Sequence, residues 1–109
     1  SMIYKNPSLL RAEAIINMVM ADQHFVESTD HIIIEAYQNG REQGYTICPP
    51  DLNNALFIAQ ERRSDDIVVY VGKFSMQGLS EDAYMNAHIF KDEVQAADFI
   101  RKTLRQGGR

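Results

Sequence analysis

The side chains that could support chemistry in this chain are a single cysteine, three histidines and a glutamate with a nearby tyrosine. Cys48 ends the segment YTIC and precedes two prolines, while the histidines lie at positions 24, 31 and 88. A cysteine reacts as a thiolate, which a cation, a histidine or a helix N-terminus stabilises. No spacing in the sequence links a histidine to Cys48. We therefore interpret Cys48 as a structural side chain, as most unmodified cysteines are.

The segment HIIIEAYQ (31–38) carries the other candidates. Side chains alternate along a strand, so His31, Glu35 and Tyr37 share one face. His31 and Glu35 are four residues apart, which is roughly 13 Å on a strand and too far for a shared metal or a His–Glu dyad. The sequence thus predicts a ligand-binding surface rather than a catalytic or metal centre, with no cofactor. Its predicted residues are His31, Glu35, Tyr37, Cys48 and His88.

Two strands of a hairpin are expected to position these residues. HIIIEAYQ and YTIC flank the polar segment NGREQG, which indicates a loop of about four to six residues, and Pro49-Pro50 ends the second strand. Matching the more apolar faces requires paired residue numbers to sum to an odd value. One such register places Glu35 opposite Cys48 and Tyr37 opposite Thr46. A slip by one residue would instead turn Cys48 toward Ile34, under the first helix.

A helix is predicted on each side of the strands. The first covers 6–22, with Asn6 as N-cap and Pro7 at the first helical position, and the second follows Asp92 and ends near Gly107. Whether the first helix continues through QHFVES is left open. The predicted buried stripes are Leu9, Ala12, Ile16 and Val19, widened by Leu10, Ile15 and Met18, and then Val94, Ala97, Ile100 and Leu104.

Further strands are predicted between the hairpin and the last helix. IVVYVGKF is apolar on both alternating faces, and YMNAHIF (84–90) is the last strand, after a loop with a helical turn from Ser80. Residues 53–63 fit a strand, although a helix is also possible there. The predicted fold is α+β: an N-terminal helix, an antiparallel meander of four to five strands and a C-terminal helix, with the helices on one sheet face.

A strand that is apolar on both faces must be covered on both. Because the helices cover one face, two interpretations of the second remain. One is a symmetric homodimer that buries an apolar strip inside a polar rim. The other is a cleft with an apolar floor and a few convergent polar groups, as in small-ligand sites. The two are compatible if the cleft lies beside the dimer interface.

Length and composition exclude several classes of protein. The 109 residues suit one domain, here 2–109, with Ser1 as a remnant of a cleaved tag and 106–109 as a frayed tail. A net charge of −4 argues against a nucleic-acid binder, which needs a basic surface. No apolar run approaches the roughly 20 residues of a membrane span, and no signal peptide is expected. We therefore predict a cytoplasmic protein.

These observations predict a small, soluble, non-enzymatic binding or interaction module. We expect a homodimer that takes a small molecule or a protein partner on its second sheet face. One alternative is a small enzyme in which Glu35 or His31 is the general base and Tyr37 the hydrogen-bond donor. A structural assembly protein is the other alternative.

Overall fold

The structure, a computed structural model, describes residues 10–29, 32–40, 42–50, 53–60 and 66–107. The elements in chain order are α1 (Leu10–Ala21), α2 (Gln23–Ser28), β1 (Ile33–Asn39), β2 (Glu42–Cys48), β3 (Ala55–Gln60), β4 (Ile67–Gly72), β5 (Phe74–Ser75), β6 (Gly78–Leu79), a 3-10 helix (Glu81–Met85), β7 (Ala87–Phe90) and α3 (Glu93–Gly107). The predicted α+β class is confirmed.

Five strands form one antiparallel sheet in the order β1-β2-β3-β4-β7. Sequence neighbours pair throughout, except that β5, β6 and the 3-10 helix intervene between β4 and β7. The meander topology and the number of strands therefore agree with the prediction. The last strand is shorter than expected, because residues 84 and 85 belong to the 3-10 helix and the predicted helical turn runs from Glu81 to Met85.

The first face of the sheet packs against all three helices. Alternate residues of the central strands, including Leu56, Ile58 and Val69, are fully buried there. From the helices they meet Ile15, Val19, Phe25, Ile100 and Leu104. Full burial of one such side chain is worth about 1.5–3 kcal/mol relative to exposure, so this face holds the larger core.

The helices differ from their predictions at several positions. Asp22 separates α2 from α1: its backbone is extended, and its carboxylate accepts a hydrogen bond from the Phe25 amide at 3.0 Å. Leu10, Met18 and Val94, predicted to be buried, are exposed, and the buried face of α1 is formed by Ala12, Ile15 and Val19. Residues 106 and 107 of the predicted tail are helical. The expected caps at Asn6 and Pro7 lie outside the described residues.

The β1–β2 hairpin is tighter than predicted. Asn39 pairs with Glu42, so a connection of two residues replaces the expected loop of four to six. Gly40 has a φ of 60°, a left-handed conformation that two-residue hairpin turns require. The register also differs: Glu35 lies opposite Thr46, Tyr37 opposite Gly44 and Cys48 opposite Ile33. The shift is two residues, so the predicted faces are kept.

Residues 55–60 form a strand, not the helix that was left open. All of β3 except Gln60 is buried, because the strand lies at the centre of the sheet and is covered on both faces. A helix there would have left β2 and β4 without a common neighbour.

Candidate functional site

The second face of the sheet carries most of the predicted site residues. The register places Glu35, Tyr37 and Cys48 on this face, together with Phe57 of β3 and Tyr70 of β4. The cover consists of the β5–β6 hairpin and the 3-10 helix, which contribute Phe74, Leu79, Ala83 and Tyr84 to a second apolar cluster. The chain thus covers the middle of its own second face.

Tyr37 joins the sheet to this cover. Its ring packs edge-on against Phe57 and Phe74, with centroids 4.9 and 5.4 Å away. Its hydroxyl accepts a hydrogen bond from the Leu79 amide at 3.2 Å. Gly78 is required here, since its φ is 100° and a Cβ would overlap the Tyr37 hydroxyl.

The other predicted residues are not all brought together. Cys48 is 6% exposed and packs in the second-face cluster, consistent with a structural role. Glu35 is exposed at the edge strand. His88 pairs with Val69 and lies on the helix-covered face, with its ring 4.5 Å from Phe99, so its predicted place on the second face is wrong. His31 lies outside the described residues.

Three residues missing from the sequence-based prediction lie beside Tyr37: Glu42, Tyr70 and Tyr84. Tyr70 donates its hydroxyl to Glu42 Oε2 at 2.6 Å, reaching diagonally over β3. The ring of Tyr84 lies 4.8 Å from that of Tyr70. We call Glu42, Tyr37, Tyr70 and Tyr84 the tyrosine–glutamate cluster.

The Tyr84 hydroxyl is buried and has no hydrogen-bond partner of good geometry. Burial, and then the adjacent Tyr37 hydroxyl, raise the pKa of Tyr84 well above its usual range, with smaller contributions from Glu42 and Tyr70. The phenol therefore stays protonated at neutral pH. Buried polar groups without a partner are rare in native proteins, and a bound ligand or water often accounts for them.

Two sequence signals could have found this cluster. Strand alternation separates Tyr70 from Ile67, Val69 and Val71, and a two-residue turn would have placed Glu42 on β2. The longer predicted loop removed Glu42 from the strand. No local pattern identifies Tyr84, because its position depends on how the 3-10 helix folds over the sheet.

The cluster consists of hydrogen-bonding groups set among aromatic rings. Within the described part of the chain, no group of three or more His, Cys, Asp or Glu side chains lies close enough to hold a metal ion. One carboxylate and three phenols surrounded by aromatic rings offer hydrogen bonds and flat apolar contacts, the combination found in small-ligand sites.

Comparison with known proteins identifies no relative. No family model matches the chain, no curated protein matches its sequence, and no solved structure matches its fold. Of the helices among residues 10–107 that are described, none is long and apolar enough to cross a membrane.

Proposed function

We propose that this protein is a non-enzymatic α+β binding module whose small-molecule site is the tyrosine–glutamate cluster on the second sheet face. The observation that carries the proposal is the buried Tyr84 hydroxyl, which has no hydrogen-bond partner of good geometry although the Tyr37 hydroxyl adjoins it and Glu42 and Tyr70 lie nearby. A ligand with complementary groups would satisfy this hydroxyl on binding.

The exposure of the cluster supports access to it. Tyr37, Glu42 and Tyr84 are each half-buried, whereas Phe57 and Tyr70 beneath them are buried. The three side chains therefore lie between an apolar floor and solvent, with the Tyr84 hydroxyl itself at the buried end of its side chain. The floor is part of the folded core, so the site is organised before a ligand arrives.

Thermal-shift screening of a metabolite library tests this function. A ligand present at about 100 times its dissociation constant should stabilise the wild type by about 2.7 kcal/mol, or several degrees in melting temperature. The double variant Tyr37→Phe/Tyr84→Phe should lose most of that shift, measured against its own unliganded melting temperature. Glu81→Gln is the matched control, since Glu81 is exposed on the same 3-10 helix as Tyr84.

A shift that persists in the double variant would remove the cluster from the binding site. Tyr84→Phe alone supplies an internal check, because it deletes an unpartnered hydroxyl. The unliganded variant should therefore be at least as stable as the wild type.

The proposal includes a homodimer. The cover leaves part of the second face open at β7, where Ile89 is 62% exposed beside the exposed Ala87 and the half-buried Val68. A contiguous exposed apolar strip is typical of a protein–protein contact. In the homodimer, a second copy of the chain would pack against this strip.

Light scattering of the wild type should give twice the monomer mass of 12.4 kDa. Ile89→Ser should shift the protein toward monomer with little loss of stability, since Ile89 is mostly exposed already. Val94→Ser, at an exposed apolar position on α3, should leave the mass unchanged. A wild type that stays monomeric at high concentration would disprove the dimer and leave the ligand site unaffected.

We do not advance the enzymatic alternative. It needs Glu35 or His31 as a base beside the Tyr37 hydroxyl. The described contacts of that hydroxyl are with the 78–79 backbone and Tyr84, while the Glu35 carboxylate is exposed. The structural assembly role, a protein partner and the cytoplasmic location stay predictions of the sequence.

A further inference from the structure

We propose that the ligand of the tyrosine–glutamate cluster presents a protonated primary amine, which binds between Glu42 and the Tyr84 hydroxyl. This inference rests on the proposed function, because it names the chemistry of the same site. Three features of the cluster carry it: its charge, its unequal numbers of hydrogen-bond donors and acceptors, and its aromatic walls.

The charge of the cluster is negative and is not neutralised by described residues. Glu42 is half-buried and accepts one hydrogen bond, from Tyr70. None of the described ion pairs includes Glu42. They join residues of α1 and α3 to each other and to Asp22, and Lys91 to Asp66. A partly desolvated carboxylate that the described residues leave without a cation favours a ligand that brings one.

The hydrogen bonds within the cluster favour a ligand that donates hydrogen bonds. The Tyr70 hydroxyl donates to Glu42 Oε2, and the Leu79 amide donates to the Tyr37 oxygen. The hydrogen bond described for the Glu42 carboxylate is at Oε2, and the Tyr84 hydroxyl, which adjoins that of Tyr37, has no hydrogen-bond partner of good geometry. An ammonium group supplies three donors and no acceptor, so one group can satisfy both oxygens. A carboxylate or phosphate would add acceptors and a second negative charge.

The aromatic walls also favour a cation. The Tyr70 and Tyr84 rings lie 4.8 Å apart at the cluster, above the fully buried Phe57. The faces of such rings carry negative electrostatic potential and attract ammonium groups, while their surfaces accept an alkyl chain. Charge, donors and walls therefore select the same ligand chemistry.

The test is a titration followed by ¹⁵N–¹H correlation spectra of the whole chain, with n-butylammonium as probe. A ligand this small is expected to bind with a dissociation constant on the order of 1–10 mM. We expect saturable shifts at the amides of Glu42, Gly78, Leu79 and Tyr84. Three related compounds should bind at least about tenfold more weakly. 1-Butanol lacks the positive charge, butanoate carries a negative charge, and tetramethylammonium has no N–H donors.

Two variants locate the probe. Glu42→Gln keeps the shape of the side chain and should weaken butylammonium binding about tenfold or more, and Tyr84→Phe should weaken it by about three- to tenfold. Glu81→Gln, which removes a nearby exposed negative charge, should change it by less than about twofold. Well-dispersed spectra would show that each variant is folded. If Glu42→Gln is unfolded, the affinity of Tyr84→Phe for butylammonium tests the inference alone.

Butylammonium that binds no better than butanol, or equally well to Tyr84→Phe and the wild type, overturns the inference. Equal effects of Glu42→Gln and Glu81→Gln would also overturn it, because the attraction would then be a general surface effect. The function itself is judged separately. A screened metabolite without an amine whose shift disappears in Tyr37→Phe/Tyr84→Phe would support the site and reject the amine.

Discussion

Phe57→Ala is expected to lower the free energy of unfolding by about 3–5 kcal/mol, the usual cost of removing a fully buried phenylalanine. Phe57 has no exposed surface and lies on β3, the central strand of the sheet. Its ring packs edge-on against Tyr37 and is stacked with Tyr70. Truncation would leave a cavity below both tyrosines that the flanking strands cannot close.

Urea unfolding followed by circular dichroism measures this effect. Ile33→Ala is the control, since Ile33 lies on the same sheet face but is 49% exposed, and should cost less than about 1.5 kcal/mol. Total stability in small domains is about 5–15 kcal/mol, so Phe57→Leu provides a milder second variant if the alanine variant is unfolded. A loss below about 1 kcal/mol for Phe57→Ala would mean that the second face is not covered as described.

Gly78→Ala is the second large expected effect, at about 2–5 kcal/mol. Two costs combine at this position. The φ of 100° is rarely adopted by residues with a side chain, and the new methyl group would overlap the Tyr37 hydroxyl. Relief of the overlap would displace the β5–β6 hairpin and with it the hydrogen bond from the Leu79 amide to Tyr37.

Gly40→Ala separates the two costs. Gly40 also has a positive φ, of 60°, but nothing lies within 4 Å of a Cβ there, so only about 1–2 kcal/mol should be lost. The double variant Gly78→Ala/Tyr37→Phe removes the hydroxyl and should recover part of the loss, which a double-mutant cycle in urea detects. Equal losses for Gly40→Ala and Gly78→Ala would argue that the hairpin does not press on Tyr37.

Both substitutions also concern the proposed site. Phe57 and Gly78 contact Tyr37 from below and from above, and they do not contribute polar groups to the cluster. Their loss should therefore weaken ligand binding through the position of Tyr37, whereas Glu42→Gln should weaken binding with the fold intact. Comparing stability with affinity across the three variants distinguishes the residues that hold the site from those that bind.

The secondary structure was largely predictable because its signals are local. Apolar residues at helical spacing identified α1 and α3, and β-branched runs identified β1 and β4. Errors arose where a competing local interaction decided the outcome. Asp22 caps α2 and separates it from α1, and the left-handed Gly40 allowed a turn of two residues where the polar segment suggested a longer loop.

The faces of the hairpin were also predictable, although its register was not. Burial requires only that the apolar sides of β1 and β2 coincide, and every odd sum of paired residue numbers meets that condition. The length of the turn then fixes which of these registers forms. A difference of two residues left Glu35, Tyr37 and Cys48 on the predicted face while changing each cross-strand partner.

The sequence by itself therefore determined the order of helices and strands, the α+β class and which residues of the β1–β2 hairpin face away from the helices. Only the tertiary structure decided what covers that second face, and that Glu42, Tyr70 and Tyr84 meet Tyr37 there while His88 lies on the other side. The physical reason is the distance along the sequence over which each interaction acts. Periodicity and capping act over a few residues, whereas the cluster joins side chains from β1, β2, β4 and a 3-10 helix, whose approach depends on register and packing of the whole sheet.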